Sequence, residues 1–326
     1  MRDRLTLLVF IFGLISFSIS CSSQENVSEV KLALDWYPNA NHIGLYLAEE
    51  NGYFEDENLK VTIYTPSDPS TVLQTVASGA DDFGMNYQPD VLIARSEGVP
   101  VVSVLGMVQH PLNSMMALQS SGNESPKDLK GKKVGYPGIP WNEDALNTML
   151  QSDGLSGIDD VELVNVGWEL GSSMISETVD AIIGAYFTHE SIVLENEGHP
   201  VNVMRMEEWG VPDYYELVMV TSEDYLSKNP DLVERFTRAV SKGYTDAISD
   251  PQLGVEVLKK HAPEIDESVD SPGADLLRDL WKGKNGNFGT QEEVKWVSFA
   301  EWMKKRGIIS EDVDPNDAFT DKYSTK

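Results

Sequence analysis

Residues 30–52 read VKLALDWYPNANHIGLYLAEENG. The stretch opens with a short apolar run that ends in a polar, aromatic turn at Asp35 and Trp36. From His42 onward, Ile43, Tyr46 and Leu47 fall on one helical face, and Gly52 supplies the stop. The same strand–turn–helix unit recurs downstream. Residues 59–65 alternate as a strand, Pro69 opens a helix that stops near Gly79, and residues 82–87 form another strand. A helix over 89–97 and a strand over 99–107 follow. Strands alternating with helices at this spacing predict an α/β fold with right-handed crossovers, whose ligand loops follow the strand ends.

After residues 114–118 (SMMAL) the pattern resets. Residues 122–125 are a polar break, Ser125-Pro126 starts a short helix, and 132–136 is a new first strand. Strands over 161–166 and 181–184 follow with helices between them, and 216–221 leads out of the unit. From Ser222 the reading is almost wholly helical. Thr290-Gln291-Glu292-Glu293 has the form of a capping box, with Trp296, Phe299 and Met303 as an apolar stripe behind it. The expected architecture is two lobes, 30–116 with 219–326 and 117–218, crossed near 114–118 and 216–221. The helical tail should pack on the first lobe. Two crossings make a hinge, and hinged lobes make a cleft.

The N-terminus has its own logic. Residues 5–19 are an apolar run of 15 behind Arg2 and Arg4, the form of a secretory signal. At about 1.5 Å per residue such a run is too short for a ~30 Å hydrocarbon core. Cys21, the one cysteine of the chain, follows directly in SISCSS. The segment resembles a bacterial lipobox, with Ser18 where Leu is usual. Cleavage would leave Cys21 as the lipid-bearing residue; a plain signal with an incidental cysteine is the alternative. Residues 1–20 then form the signal and 21–29 a polar tether.

Composition narrows the function classes. With 53 Asp and Glu against 25 Lys and Arg, the net charge of −28 repels phosphate backbones and excludes nucleic acid as a partner. A single cysteine excludes a disulfide framework and a cysteine-ligated zinc site. The five histidines (42, 110, 189, 199 and 261) include no HExxH, and no G-x-S-x-G, Walker loop or G-x-G-x-x-G occurs. His189-Glu190 is the one adjacent acid/base pair. No catalytic constellation and no cofactor are expected.

What the sequence does hold is aromatic and amide side chains at strand ends. Trp36, Tyr37, Asn39 and Asn41 follow the first strand; Tyr87 and Gln88 follow the third. Residues 136–141 (YPGIPW), with Gly138 and Trp141, follow the first strand of the second unit, and 186–190 (YFTHE), with Tyr186 and Glu190, a later one. Aromatics suit the face of a flat ring, and amides or a carboxylate its edge. Tyr37, Tyr53 and Phe54 read better as packing. For Trp141, Trp168, Trp209 and Tyr215 both readings stay open.

Four stretches, ALDWYPNANHIGLYLAEENGYF, ASGADDFGMNYQPDVLIARSEGVPVVSV, DLKGKKVGYPGIP and VDAIIGAYFTHESIVLENEG, resemble one group of extracytoplasmic solute-binding proteins. These are the binders of thiamine pyrimidine precursors, related to sulfonate, nitrate and taurine binders and to fungal hydroxymethylpyrimidine-phosphate synthases. The resemblance implies a two-lobed type II periplasmic-binding fold with an aminopyrimidine, such as formylaminopyrimidine, between the lobes. It implies a lipid-anchored monomer that serves an ABC permease and ATPase. Trp36 and Tyr87 would sandwich the ring, Glu190 would accept from its exocyclic amine, and Asn39, Asn41 and Gln88 would read its edge. Gly138 would let backbone approach, with amides near Trp141 donating. Alternatives are a sulfonate, nitrate or riboflavin-like ligand, or a synthase. The synthases use a histidine near the place where this chain has Asp90, together with a cysteine-rich segment.

Overall fold

The computed structural model describes residues 27–324; the expected signal and Cys21 lie outside them. Ten strands build two sheets. They are β1 (Ser28–Ala33), β2 (Leu59–Tyr64), β3 (Phe83–Asn86), β4 (Val101–Val108), β5 (Asn113–Leu118), β6 (Lys133–Tyr136), β7 (Glu162–Asn165), β8 (Ala181–Tyr186), β9 (Val201–Arg205) and β10 (Leu217–Ser222). Sheet one has the order β2-β1-β3-β10-β4 and sheet two the order β7-β6-β8-β5-β9.

Each sheet is parallel except for one strand. β10 runs antiparallel to β3 and β4, and β5 runs antiparallel to β8 and β9. The reason is connectivity. These are the strands that arrive from the other sheet, so they enter where their neighbours leave and must run the opposite way. The two crossings are therefore residues 109–112 and 206–216. The strands expected to be crossings, 114–118 and 216–221, are instead the arriving strands, and the expected lobe boundary at 116/117 falls inside β5. An apolar run reads the same whether it joins lobes or completes one. The tether also needs correction at its end. Ser28 and Glu29 pair with Leu59 and Lys60 in sheet one, and Glu29 adds an ion pair with Lys60 at 3.1 Å.

Helices cover the sheets. The helix Ile43–Glu50 follows β1 and crosses the 20-residue helix Pro230–Ser249 so closely that a methyl on Gly243 would collide with the Gly44 carbonyl. Phe236, Val240 and Tyr244 join Leu32, Leu34, Phe83 and Met85 in one core of lobe one. A second core runs from one lobe into the other. Val91, Val218 and Val220 of sheet one and its helices share it with Met115, Ile183, Trp141 and Leu146 of lobe two. The bridge is the helix Glu293–Lys305, whose Trp296, Phe299 and Met303 are buried in that core, the stripe expected from sequence.

The expected capping box does not form. The helix N-cap is Glu292, without a side-chain cap bond. Gln291 is drawn instead to Ser103, whose Oγ donates to it at 2.7 Å, and the Glu292 N–H donates to the Tyr215 hydroxyl at 2.6 Å. Tertiary partners outbid the local ones.

Candidate functional site

The parallel strands of both sheets end facing each other across the crossings, and the site is built from the residues just past those ends. After β1 the buried Asp35 takes two partners. The Nε2 of His42 donates to its Oδ1 at 2.9 Å, and the hydroxyl of Tyr87 donates to its Oδ2 at 3.0 Å. The Nδ1 of His42 accepts from the Asn39 N–H at 3.1 Å, which fixes the proton on Nε2. Burial, and then Asp35, push the Tyr87 phenol far above its ordinary range, so it stays a donor.

Asn39 belongs to the turn, whereas Asn41 donates to it and keeps its own buried Oδ1 unpartnered. Asn39 caps the short helix Ala40–His42. Its Oδ1 accepts from the N–H of Asn41 at 2.9 Å and from the Asn41 amide at 3.0 Å, and its own amide donates to the Tyr37 carbonyl. This turn props out Trp36, 39% exposed. Gln88 is also structural. Fully buried, it accepts from the Tyr215 N–H at 2.8 Å and donates to the Lys295 carbonyl at 3.4 Å, pinning the second crossing to lobe one. Two residues on, Asp90 has no hydrogen-bonded partner among the described residues, and burial and then Glu216 push its carboxyl up to about 6.

In lobe two, Gly138 holds φ +85°, and a methyl there would meet the Asn165 amide at 2.7 Å, so the turn after β6 needs glycine. Trp141, 6% exposed, sits edge-on to Tyr214 and Phe299 with centroids 5.9 and 6.5 Å away. It is a core residue, and its indole edge is spent on packing. A pocket of about 380 Å³ does lie beside it, between the helices Gln88–Ser96 and Pro140–Ser152, lined also by Asp90, Ile139, Asp144 and Arg306. Trp36, Tyr87, Tyr186 and Glu190 do not line that pocket. Glu190 opens the helix Glu190–Asn196. Its Oε2 accepts from the Tyr186 N–H at 2.6 Å, and its Oε1 is 3.0 Å from the Nδ1 of His189, whose pKa it raises.

Of three further features, the first and third escaped the sequence reading, and the second was left open there. The first is Glu216, buried at the start of β10. Its carboxylate accepts from the N–H groups of Leu112 (2.7 Å) and Asn113 (3.0 Å) and from the hydroxyls of Tyr186 (2.9 Å) and Tyr214 (3.1 Å). One side chain thus ties both crossings to β8. Burial raises its pKa against the pull of those four donors. The available signal was an acid standing alone before the apolar run 217–221. The second feature is Trp168, 69% exposed after β7, whose ring lies 5.3 Å from that of Trp36 across the mouth between the lobes. The third is a pair of buried amides in lobe two, Asn142 and Asn113, with unpartnered atoms.

The cleft is therefore walled by phenols, tryptophans and carboxylates. Among the described residues no Lys or Arg is ion-paired to Asp35, Asp90, Glu190 or Glu216. Such walls offer acceptors and negative potential to an occupant. They suit a neutral or cationic flat molecule that carries N–H donors.

Two mixed sheets joined by two crossings define the two-lobed fold of periplasmic binding proteins. The aliphatic sulphonate binding protein SsuA from Escherichia coli matches with a TM-score of 0.70 over 89% of this chain and 96% of that one, at 16% identity. The nitrate-binding protein NrtA from Synechocystis matches at 0.64 over 91% and 87%, at 12% identity. These likenesses concern the fold. The chain belongs to the NMT1/THI5-like family, whose model matches residues 39–253. It is 39% identical over 97% of its own length and 97% of the other's to the formylaminopyrimidine-binding protein of Halalkalibacterium halodurans. It is 25% identical, over 89% and 85%, to the 4-amino-5-hydroxymethyl-2-methylpyrimidine phosphate synthase of Schizosaccharomyces pombe.

Proposed function

We propose that the protein captures an aminopyrimidine precursor of thiamine, formylaminopyrimidine or its hydroxymethyl relative, and hands it to an ABC importer. The observation that carries this reading is an acceptor-rich cleft whose carboxylates Asp35, Glu190 and Glu216 have no Lys or Arg partner among the described residues. An exocyclic amine meets Glu190 as a donor, whereas a sulfonate or nitrate brings negative charge to a negative wall. The relative named as a formylaminopyrimidine-binding protein, similar across nearly the whole chain, supports the same ligand.

Trp36 and Tyr87 supply the ring faces. Glu190 already accepts two bonds but has lone pairs left for an amine. Binding, not turnover, is the role, so pyridoxal phosphate should yield no pyrimidine with the purified protein. The protein acts as a lipid-anchored monomer outside the cytoplasmic membrane, held through Cys21, with a permease and ATPase as partners. Titration calorimetry with formylaminopyrimidine, hydroxymethylpyrimidine, thiamine, riboflavin and taurine tests the ligand. Heat from a pyrimidine alone is expected; tight binding of taurine with none of the pyrimidines overturns the assignment.

A further inference from the structure

Asn142 stands where the fold calls for a hydrocarbon. In the helix Pro140–Ser152 it heads the stripe Asn142, Ala145, Leu146, Met149, all fully buried against sheet two. Both ends of its amide, Nδ2 and Oδ1, are buried without a partner, and among the described residues no other side chain has two such atoms. A buried amide that bonds to nothing is costly to keep. Asn113, also buried, leaves its own Oδ1 unpartnered.

These amides lie at the cleft end of lobe two. Asn113 is the first residue of β5 and pairs with Tyr186, the last of β8. By strand alternation it shares a face with Met115 and Ala117, which pack in the core that holds Trp141 and Leu146 of the Asn142 helix. Between the two amides β8 carries a bulge. Ser114 lies opposite Ala185 and Met115 opposite Ile183, so Gly184, at φ +100°, is the extra residue. A methyl on Gly184 would approach the Asn142 Nδ2 to 3.7 Å and clash with the Pro137 ring at 2.8 Å. Gly184 itself is half-buried. The place beside the amide is thus taken by the Pro137 ring and the Gly184 backbone, neither of which bonds to it.

We propose that Asn142 hydrogen-bonds the edge of the bound heterocycle on which an amine sits next to a ring nitrogen. The chemistry is complementary. Nδ2 donates to the ring nitrogen while Oδ1 accepts from the amine, the two-bond pairing by which Asn reads the adenine edge. The other amine hydrogen is left for the Glu190 carboxylate. This inference rests on the aminopyrimidine reading and assigns the residues that select the amine.

The test is calorimetry with two probes, formylaminopyrimidine and its analogue with hydrogen in place of the ring amine, on the wild type, Asn142→Leu and Asn142→Ser. The wild type should prefer the amine by about tenfold or more. Both variants should lose that preference, and Asn142→Leu should raise the melting temperature of the unliganded protein by removing the unpaired amide. The Ser variant covers the case in which Leu fails to fold. A variant that folds and keeps the wild-type preference overturns the role of Asn142 and leaves the ligand assignment standing. A wild type that binds neither probe overturns both.

Discussion

Replacing Glu216 tests whether the crossings are held by a single carboxylate. Four donors converge on it, two of them backbone N–H groups. Glu216→Gln keeps an oxygen at the position that Leu112, Asn113 and Tyr214 address, and the Tyr186 hydroxyl can rotate to accept from the new amide. Each bond falls from the charge-assisted range of ~1.5–3 kcal/mol to the neutral ~0.5–1.5 kcal/mol. Relief of a buried charge offsets much of that loss, so the net cost should be about 0–2 kcal/mol. Glu216→Leu is different in kind. It strands four buried donors at roughly 1–3 kcal/mol each, so at least about 4 kcal/mol of the ~5–15 kcal/mol typical of a folded domain should go. Urea unfolding of the unliganded protein, followed by tryptophan fluorescence, reads both numbers. A Leu variant within about 1 kcal/mol of wild type would falsify the hub.

Asp90 has a folded pKa of about 6 against an ordinary 3.8, so its favourable contribution is present below about 3.8 and lost as pH rises through 6. Asp90→Asn should therefore stabilise the unliganded protein at pH 8, by on the order of 1–2 kcal/mol, and change nothing at pH 3.5; a pH-independent difference in melting temperature contradicts this. Trp168→Ala removes the ring that faces Trp36 across the mouth and should weaken pyrimidine binding about 3–10-fold, mainly by faster dissociation in stopped flow, with no change in unliganded stability. Unaltered dissociation would make the contact incidental. Gly243→Ala must push its helix away from Ile43–Glu50 and should cost about 1–3 kcal/mol in the same urea assay, and a neutral result would mean that the helices yield freely. Cys21→Ala should move the protein from the membrane fraction to the soluble one; continued membrane retention refutes the anchor.

The fold was legible because its signals are local. Strand–helix alternation, the helical second half and the Trp296 stripe each lie within a window of a dozen residues. The places where the reading missed depend on partners far along the chain. Gln88 looks like a free amide until Tyr215 is brought to it, and Glu216 looks like a surface acid until Leu112 and Tyr186 converge on it. Asn39 is the reverse case, since local capping took both ends of an amide assigned to a ligand. The crossings were misplaced because β5 and β10 are as apolar as any other strand. Trp36, Tyr87 and Glu190 do stand just past the ends of β1, β3 and β8, since those positions follow from strand order alone. The Asn142 amide was passed over because in sequence it is one polar residue in the first turn of a helix, where such residues are common.

The place of β10 in sheet one governs when that sheet can exist. β3 and β4 never pair with each other; each pairs only with β10 on its inner side, so Met85 and Leu105 both wait for Met219. A chain leaving the ribosome at about 5–20 residues per second makes β10 several seconds after β4. All of lobe two is synthesised in that interval. Until then lobe one is two strips of strand with no seam, its closure dependent on contacts more than a hundred residues apart, and folding of this kind is slow. For a chain threaded unfolded through an export pore, as proposed from its first twenty residues, that delay is useful. The strand that completes the sheet is also the one that keeps it from closing early.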